Sequence, residues 1–474
     1  MAKTFWKMRE LILNFFSYSF AVALERLCSF LLIPLYASTF TVAEFGVIDI
    51  VQTTIGVVLI FAFLQLETSL QRYYYEYESK ERKIFAFTIF SVILLLVLLL
   101  VLLVCIYAET LSVLLCENTQ YAYAFRIAAI QMPFSALSTL SLILLRFENK
   151  VFLFATSVII KSILLIALMF VFLRFSGMGL QGFFMSQLLA VFFSSVLSLI
   201  FIRKLLAFSF SKTAFLKSLR YAIPQFPARV GVSINSSSNR FFILGYLDTY
   251  TLGIFSMALK FGSIMQLFQQ TFMMAWNQFL FKILQKENHK KMIQSMLDLL
   301  SPPLFFLVSC ITVFSQDLIK VMADDKYLDS SKYVGMLGLS ISFLVLTEIV
   351  NVGPKIVQKT QYISINFFMS LIVNIVTLFL GVRFFALPGV AFSMFLANAV
   401  LCAISLITTE YLYRVDFHWR LLLFTLMPVL ALSLYVMLGG DLTLGMKWIC
   451  VFTLLLLYIP FFMSAYTRYK KIML

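Results

Sequence analysis

The segment Ile89–Ile106, IFSVILLLVLLLVLLVCI, contains no charged side chain. A helix needs about 20 mostly apolar residues to cross the hydrocarbon core of a bilayer, so this run is nearly a complete membrane span. A second run, Phe183–Ile202, has the same character. Over all 474 residues the chain is 62% hydrophobic and 12% charged, whereas soluble domains are close to half apolar and a quarter charged. The composition therefore predicts an integral membrane protein without a large soluble domain.

Apolar runs recur along the whole chain, which predicts an all-α architecture. A spanning helix and its connection use about 30–35 residues, so a chain of this length holds about 14 transmembrane helices. A membrane β-barrel needs segments of about ten residues with alternating hydrophobicity, and the sequence has none. The helices are predicted at 11–36, 45–70, 84–107, 121–145, 151–173, 179–202, 221–245, 250–279, 293–321, 333–353, 361–382, 386–412, 420–438 and 447–466.

Lys and Arg are distributed unevenly between the predicted connections. Of the 37 basic residues, 25 lie in one alternating set of connections and six in the other. By the positive-inside rule the richer set faces the cytoplasm. This predicts cytoplasmic N- and C-termini in a multi-pass membrane protein. The bias, together with attraction to anionic lipid headgroups, explains the net charge of +15 without nucleic-acid binding.

The N-terminal residues and the cysteines exclude other classes. Lys3, Lys7 and Arg9 precede an apolar segment that continues past Pro34 without a small-residue cleavage site, which is typical of a first transmembrane helix and not of a secretory signal. The six cysteines are scattered without a CxxC pair. We therefore expect no disulfide framework, no metal site, no cofactor and no catalytic residue.

The longest basic connection, 203–220, falls near the middle of the chain. We interpret it as the linker between two six-helix lobes, 1–202 and 203–413, with 414–474 forming two extra C-terminal helices. Both lobes begin on the same side of the membrane, which predicts a parallel pseudo-twofold repeat.

Six basic residues lie inside predicted helices, where a charge is costly. Placing a charge at mid-bilayer costs about 2.5–3.5 kcal/mol on insertion scales, so such residues are candidates for function. Acidic residues in these helices are fewer, and we interpret Glu25, Asp49 and Glu348 as coupling or charge-pairing groups. The imbalance predicts a cavity of positive potential. The predicted substrate-binding residues are Arg26, Arg126, Lys161, Arg229, Arg240 and Lys260.

Helix 7 has the clearest polar face. A 4-4-3-4 spacing, which follows one side of a helix, relates Gln225, Arg229, Ser233, Ser236 and Arg240. Helices 1, 5 and 8 add Arg26, Lys161 and Lys260 on similar faces. Such a set of cations suits a phosphate-bearing substrate, which Arg engages through paired donors and Lys as a point charge. Arg26 and Arg229 lie deepest and are favoured for function.

Structural roles remain an alternative for every one of these cations. Arg26 is able to pair with Glu348 or Asp49 instead of substrate. Arg240 and Arg126 lie near the outer interface, where long basic side chains snorkel to water.

Prolines mark where the helices are able to bend. Pro224 and Pro227 lie at the start of helix 7, and Pro302 and Pro303 lie inside helix 9. Each removes a backbone hydrogen bond, which favours a role as a gate hinge. Prolines are also frequent in membrane helices without such a role.

Several short segments, in this order, resemble the polysaccharide flippases of the multidrug/oligosaccharidyl-lipid/polysaccharide (MOP) exporter superfamily. The segments are Glu44-Phe45-Gly46-Val47, Leu66-Glu67-Thr68-Ser69-Leu70-Gln71-Arg72-Tyr73-Tyr74, Asn239-Arg240-Phe241-Phe242-Ile243-Leu244, Leu252-Gly253-Ile254-Phe255-Ser256 with Ala275-Trp276, and Phe314-Ser315-Gln316-Asp317-Leu318-Ile319-Lys320. Asn239 departs from the acidic residue usual at its position.

The resemblance implies two six-helix bundles around a V-shaped cavity that works by alternating access. It implies a cargo of undecaprenyl-pyrophosphate-linked oligosaccharide, an O-antigen or capsule-type repeat unit, moved from the cytoplasmic to the outer leaflet of the bacterial cytoplasmic (inner) membrane. Arg26, Arg229, Arg240 and Lys260 would face its diphosphate and acidic sugars. The sequence does not select proton, Na⁺ or Cl⁻ as a coupling ion.

Other functions and partners remain open. The alternatives are a MATE-type multidrug/cation antiporter, which should carry cavity carboxylates, and a flippase for lipid II, the peptidoglycan precursor. A membrane enzyme is disfavoured because the outer connections are short. The expected partners are the lipid-linked oligosaccharide, membrane lipids and a polysaccharide polymerase with its chain-length machinery, around a monomer that binds no nucleic acid.

Overall fold

The computed structural model describes residues 24–284, 286–359 and 361–473. These residues fold mainly into helices, and none of them forms a β-strand. Residues 24–31 are helical and lead into α1. In chain order the α-helices are α1 Ile33–Thr39, α2 Val42–Phe63, α3 Leu66–Tyr73, α4 Ser79–Ile106, α5 Ala108–Cys116, α6 Ala122–Phe147, α7 Val151–Met169, α8 Gly179–Ile202, α9 Lys212–Ala222, α10 Phe226–Tyr246, α11 Thr249–Gly262, α12 Ile264–Ile283, α13 His289–Met322, α14 Ser331–Val350, α15 Val352–Ile356, α16 Gln361–Tyr413, α17 Trp419–Met437 and α18 Leu444–Met473.

Eleven helical segments of the described chain are long and apolar enough to cross a membrane. The sequence predicted about 14 transmembrane helices, and the number of spanning segments found is smaller for three reasons. The 53-residue α16 joins two predicted helices across a kink, α10 is long enough but too polar to be counted, and the first predicted helix, 11–36, lies partly outside the described residues. The predicted all-α membrane fold is confirmed.

The kink in α16 lies where the sequence predicted a break between two helices. Ala386 has a φ of 50°, in the left-handed region, and Pro388 lacks the N–H that would continue the helix ladder. The backbones then approach closely, because a Cβ on Gly389 would lie 2.0 Å from the carbonyl oxygen of Gly381. Only glycine fits this approach.

Both ends of α2 follow from local chemistry. Thr41 and Glu44 form a capping box, in which the Thr41 N–H donates to Glu44 Oε2 at 2.8 Å and the Glu44 N–H donates to Thr41 Oγ1 at 3.2 Å. At the other end Leu64 and Gln65 adopt left-handed conformations with φ of 45° and 60°. Two such residues in succession stop the helix and redirect the chain into α3.

The chain packs as two compact units, an N-unit of Met1–Ser237 and a C-unit of Ser238–Leu474. The division falls inside α10 and therefore beyond the 203–220 connection that the sequence suggested as the linker. The predicted lobe boundary at 202–203 stays a prediction.

Hydroxyl and amide side chains form hydrogen bonds between neighbouring helices within each unit. In the N-unit the Ser194 hydroxyl of α8 donates to the carbonyl oxygen of Ser157 on α7 at 3.3 Å. In the C-unit the Asn398 amide of α16 donates to the carbonyl oxygen of Ser340 on α14 at 3.0 Å. Such contacts are typical of helix packing in membranes, where apolar surface alone gives no preference for protein over lipid.

The last two helices belong to the C-unit. The Tyr458 hydroxyl of α18 donates to the carbonyl oxygen of Thr425 on α17 at 2.8 Å. Lys447, only 5% exposed, places its Nζ 2.6 Å from Asp317 Oδ2 on α13. Of the two helices outside the predicted repeat, α18 is thus joined to α17 by a hydrogen bond and to α13 by an ion pair.

Candidate substrate and coupling site

A polar cavity of about 420 Å³ lies within the N-unit. Its walls come from residues 24–31 and from α6, α7 and α8. The side chains that make it polar include Glu25, Gln131, Ser135, Thr139, Lys161 and Gln187. A cavity of this size is in the range of small-molecule sites. Because polar side chains are costly in a membrane interior, a cavity lined this way is expected to hold water or polar cargo.

An ion pair links two walls of the cavity. Lys161 Nζ on α7 lies 2.7 Å from Glu25 Oε1, and the two side chains are 31% and 37% exposed. The sequence identified Lys161 as a substrate-binding cation and Glu25 as a coupling or pairing group, without connecting them. The structure brings together residues that are 136 positions apart in the chain, so the cavity contains one balanced pair rather than an isolated cation.

Two amides in the cavity were missed by sequence reasoning. Gln131 and Gln187 line it from α6 and α8, and Gln187 accepts a hydrogen bond of 3.1 Å from the Gln52 amide of α2. The sequence does contain a signal for these two glutamines, because amides are rare in apolar membrane spans and tend to hydrogen-bond across helices. It was weak because each glutamine lies on a different helix without a repeating pattern.

Arg126 lies in a different environment. Its Nη2 lies 2.8 Å from Glu109 Oε1 on α5, and both side chains are well exposed, at 45% and 67%. It is not among the residues that line the N-unit cavity. The structure thus places Arg126 in a local ion pair, which is the structural alternative that the sequence left open.

Arg229 and Arg26 are exposed side chains of the N-unit. Arg229 lies close enough to Glu67 of α3 for electrostatic attraction, and Glu67 Oε2 is buried without a hydrogen-bond partner among the described residues. The left-handed turn before α3 therefore positions a carboxylate that sequence reasoning did not single out. Arg26 forms no ion pair with a described residue of the N-unit and directly follows Glu25.

The remaining predicted charges are half-buried. Arg240 on α10, Lys260 on α11 and Asp49 on α2 all have this intermediate exposure. Glu348 Oε2 lies 3.0 Å from Lys355 Nζ, so Glu348 has a partner within its own unit.

The four predicted hinge prolines lie in two settings. Pro224 is part of a short 3₁₀ turn that leads into α10, and Pro227 lies in the first turn of α10, where a missing N–H costs little. Pro302 and Pro303 lie inside the 34-residue α13, where a hydrogen bond is lost. Their role as hinges stays a prediction.

The C-unit contains a buried carboxylate that pairs with two basic side chains. Asp298 on α13 is 3% exposed, and its Oδ2 lies 2.7 Å from His418 Nδ1 and 3.4 Å from Arg468 Nη2. This cluster connects α13 with the start of α17 and with α18. Within the described ranges, no group of three His, Cys, Asp or Glu side chains is arranged to hold a metal ion.

The fold is shared with several solved transporters. The structure of "Lipid II flippase MurJ, inward closed conformation" superposes with a TM-score of 0.73 at 18% identity, covering 94% of this chain and 97% of that chain. A mutant of the Vibrio cholerae MATE transporter VcmN gives 0.62 at 13% identity, with 89% and 100% covered. An inward-facing multidrug resistance MATE family transporter of the MOP superfamily gives 0.60 at 15% identity, with 86% and 95% covered. The chain therefore shares the fold of these solved transporters.

The family follows from the sequence itself. The polysaccharide biosynthesis protein family matches residues 11–283, which is more than half of the chain. The chain belongs to this family, and the predicted membership of the MOP superfamily of transporters and flippases is confirmed. No curated protein matches the sequence.

Proposed function

We propose that this protein is a flippase for an undecaprenyl-pyrophosphate-linked oligosaccharide, an O-antigen or capsule-type repeat unit. It moves this cargo by alternating access from the cytoplasmic to the outer leaflet of the bacterial inner membrane, with both termini in the cytoplasm. The observation that carries the proposal is the N-unit cavity of a polysaccharide biosynthesis family member. Its amide and hydroxyl groups both donate and accept hydrogen bonds, as do the hydroxyl groups of a sugar.

The diphosphate is assigned to the exposed arginines. Arg26 directly follows the cavity residue Glu25 but does not itself line the cavity. It has no ion-pair partner in the described N-unit, so its guanidinium is available to bind a phosphate oxygen pair. Arg229 is exposed and only attracted to Glu67 at longer range. Arg240 and Lys260 remain further phosphate contacts in the proposal, whereas Arg126 is occupied by Glu109.

Coupling is assigned to Glu25. Its carboxylate is paired with Lys161 at a site that is about one-third exposed, and protonation or cation binding at Glu25 would release Lys161. A released ammonium in the cavity favours an anionic cargo, which links the state of Glu25 to the affinity for substrate.

Lipid II is the second candidate cargo. The superposition with the lipid II flippase covers nearly all of both chains, and lipid II also joins a diphosphate to sugars. The two cargoes differ in phenotype: depletion of a lipid II flippase stops growth, whereas loss of a surface-glycan flippase removes the glycan.

The test is complementation of a deletion strain. Arg26→Ala and Arg229→Ala are expected to abolish surface glycan at normal membrane levels of protein. Arg174→Ala is the matched control, because Arg174 is an exposed arginine of the same unit, in the π-helical segment Phe170–Phe175 that follows α7. Normal glycan in both test variants would refute the assignment of the arginines, and loss of viability in place of glycan loss would favour lipid II.

A further inference from the structure

The helix α9, between α8 and α10 in the chain, is amphipathic and has no part in the proposed transport cycle. Ala214, Ser218 and Ala222, spaced four residues apart, form its buried face. Its start is fixed by Ser211, whose N–H donates to Thr88 Oγ1 on α4 at 3.0 Å. The helix is therefore held against the bundle with its opposite face outward.

The outward face of α9 borders a groove with an aromatic floor and basic walls. The groove has a volume of about 470 Å³ and is lined by Tyr73, Thr213, Leu216, Lys217, Arg220 and Tyr221. The Tyr73 and Tyr221 rings meet edge to face with centroids 5.4 Å apart, and Lys217 Nζ lies 4.3 Å from the Tyr73 centroid. This packing holds the Lys217 ammonium at the groove.

The groove is positively charged. Glu76 is the acidic group beside it, and its carboxylate lies 3.1 Å from Lys217 Nζ and 2.7 Å from Arg72 Nη1. Its hydrogen bond with Lys217 holds the pKa of Glu76 below its usual value, so it stays ionised at neutral pH. Arg220 is exposed and has no ion pair among the described residues. Three cations thus face one carboxylate, which leaves the groove with an excess of two positive charges.

Exposed apolar side chains lie on α9 and on the segments directly before and after it. Phe208 is 94% exposed, and Phe210, Leu216 and Ile223 are each about half exposed. Exposed aromatic and aliphatic groups beside basic residues are typical of a helix that lies in the membrane interface. The connection belongs to the basic set, which the charge distribution predicts to be cytoplasmic.

We infer that α9 and its groove bind the headgroup of an anionic phospholipid in the membrane leaflet on the predicted cytoplasmic side. The lipid phosphate lies between Lys217 and Arg220, and its acyl chains follow the exposed Phe208 and Leu216. The occupant follows from the charge of the groove and from its apolar border, and it is independent of the cargo proposed above.

The test measures lipid binding to the purified full-length chain in detergent. Phosphatidylglycerol and phosphatidylcholine are titrated separately, and bound lipid is counted by native mass spectrometry. We expect the double variant Lys217→Gln with Arg220→Gln to bind phosphatidylglycerol about 30-fold more weakly, since each basic residue near an anionic surface contributes about 1 kcal/mol. The charge-preserving pair Lys217→Arg with Arg220→Lys should bind normally, and Glu76→Gln should bind more tightly.

Arg174→Gln is the control, because this exposed arginine lies in the opposite set of connections. Equal phosphatidylglycerol binding by the wild type and the neutral double variant would overturn the inference. Equally tight binding of phosphatidylcholine would also overturn it. Undecaprenyl pyrophosphate is added as a competitor, and preferential retention of that lipid by the same groove would assign the site to substrate instead of phospholipid.

Discussion

The ion pair between Glu25 and Lys161 allows a quantitative test of the N-unit cavity. Removing one partner of a fully buried pair costs about 3–5 kcal/mol, and exposed pairs contribute about 0.2–1 kcal/mol. These side chains are 37% and 31% exposed, and their charged atoms are 2.7 Å apart. We therefore expect a coupling free energy between these limits, about 1–2 kcal/mol, which is a factor of about 5–30 in an equilibrium constant.

A double-mutant cycle isolates this coupling. The variants are Glu25→Gln, Lys161→Met and both together, and the readout is the free energy of unfolding of purified protein in one detergent. Each single variant leaves one charge without its partner, so the double variant should be more stable than the sum of the single effects predicts. Additive effects, with a coupling below about 0.5 kcal/mol, would refute the reasoning because independent sites behave that way. Ser29→Ala, which alters the same cavity without changing charge, controls for changes in cavity shape.

Three further predictions concern other contacts. Gly389→Ala should sharply lower the yield of folded protein, because the added Cβ would overlap a neighbouring backbone carbonyl. Gly445→Ala is the control and should leave the yield unchanged, because there is open space around Gly445; equal yields of the two variants would contradict the packing account. The pKa of Glu76 is lowered by its hydrogen bond with Lys217, so the stability from this pair should be present at neutral pH and lost as the pH falls below the usual range of a glutamate. If thermal unfolding of Lys217→Gln has the same acid dependence as that of the wild type, this prediction is contradicted. Asp298→Asn should destabilise the C-unit by about 1–3 kcal/mol, because the buried carboxylate pairs with a histidine and an arginine that are each partly exposed. An unchanged melting temperature would show that this cluster contributes nothing to stability.

The fold was largely predictable because lipid permits few solutions. Charge-free runs such as Ile89–Ile106 must form helices, and Arg383, between two apolar runs, marked the break before Ala386. The superfamily was predictable from ordered segments, and the family match confirms it. The start of α2 was predicted three residues too late, at 45 instead of Val42, because the capping-box spacing of Thr41 and Glu44 was not used.

The candidate site was less predictable because it depends on contacts that are distant in sequence. Spacing along one helix identifies a polar face, but it does not show that Lys161 meets Glu25. It also does not show that Arg126 is paired with Glu109, since helix ends are uncertain by a few residues. Glu67 became visible only through the left-handed turn that directs α3, because its position next to Arg229 depends on that turn.

The central claim, movement of a lipid-linked oligosaccharide across the membrane, is tested most directly by the sidedness of that lipid in cells. Spheroplasts depleted of the protein are exposed to a lectin that does not cross the membrane, and the fraction of labelled undecaprenyl-pyrophosphate-linked oligosaccharide that binds the lectin is measured. The account predicts that the linked glycan accumulates and is protected from the lectin, and that wild-type protein but not Arg26→Ala restores access. Lectin access that is unchanged by depletion would contradict the claim.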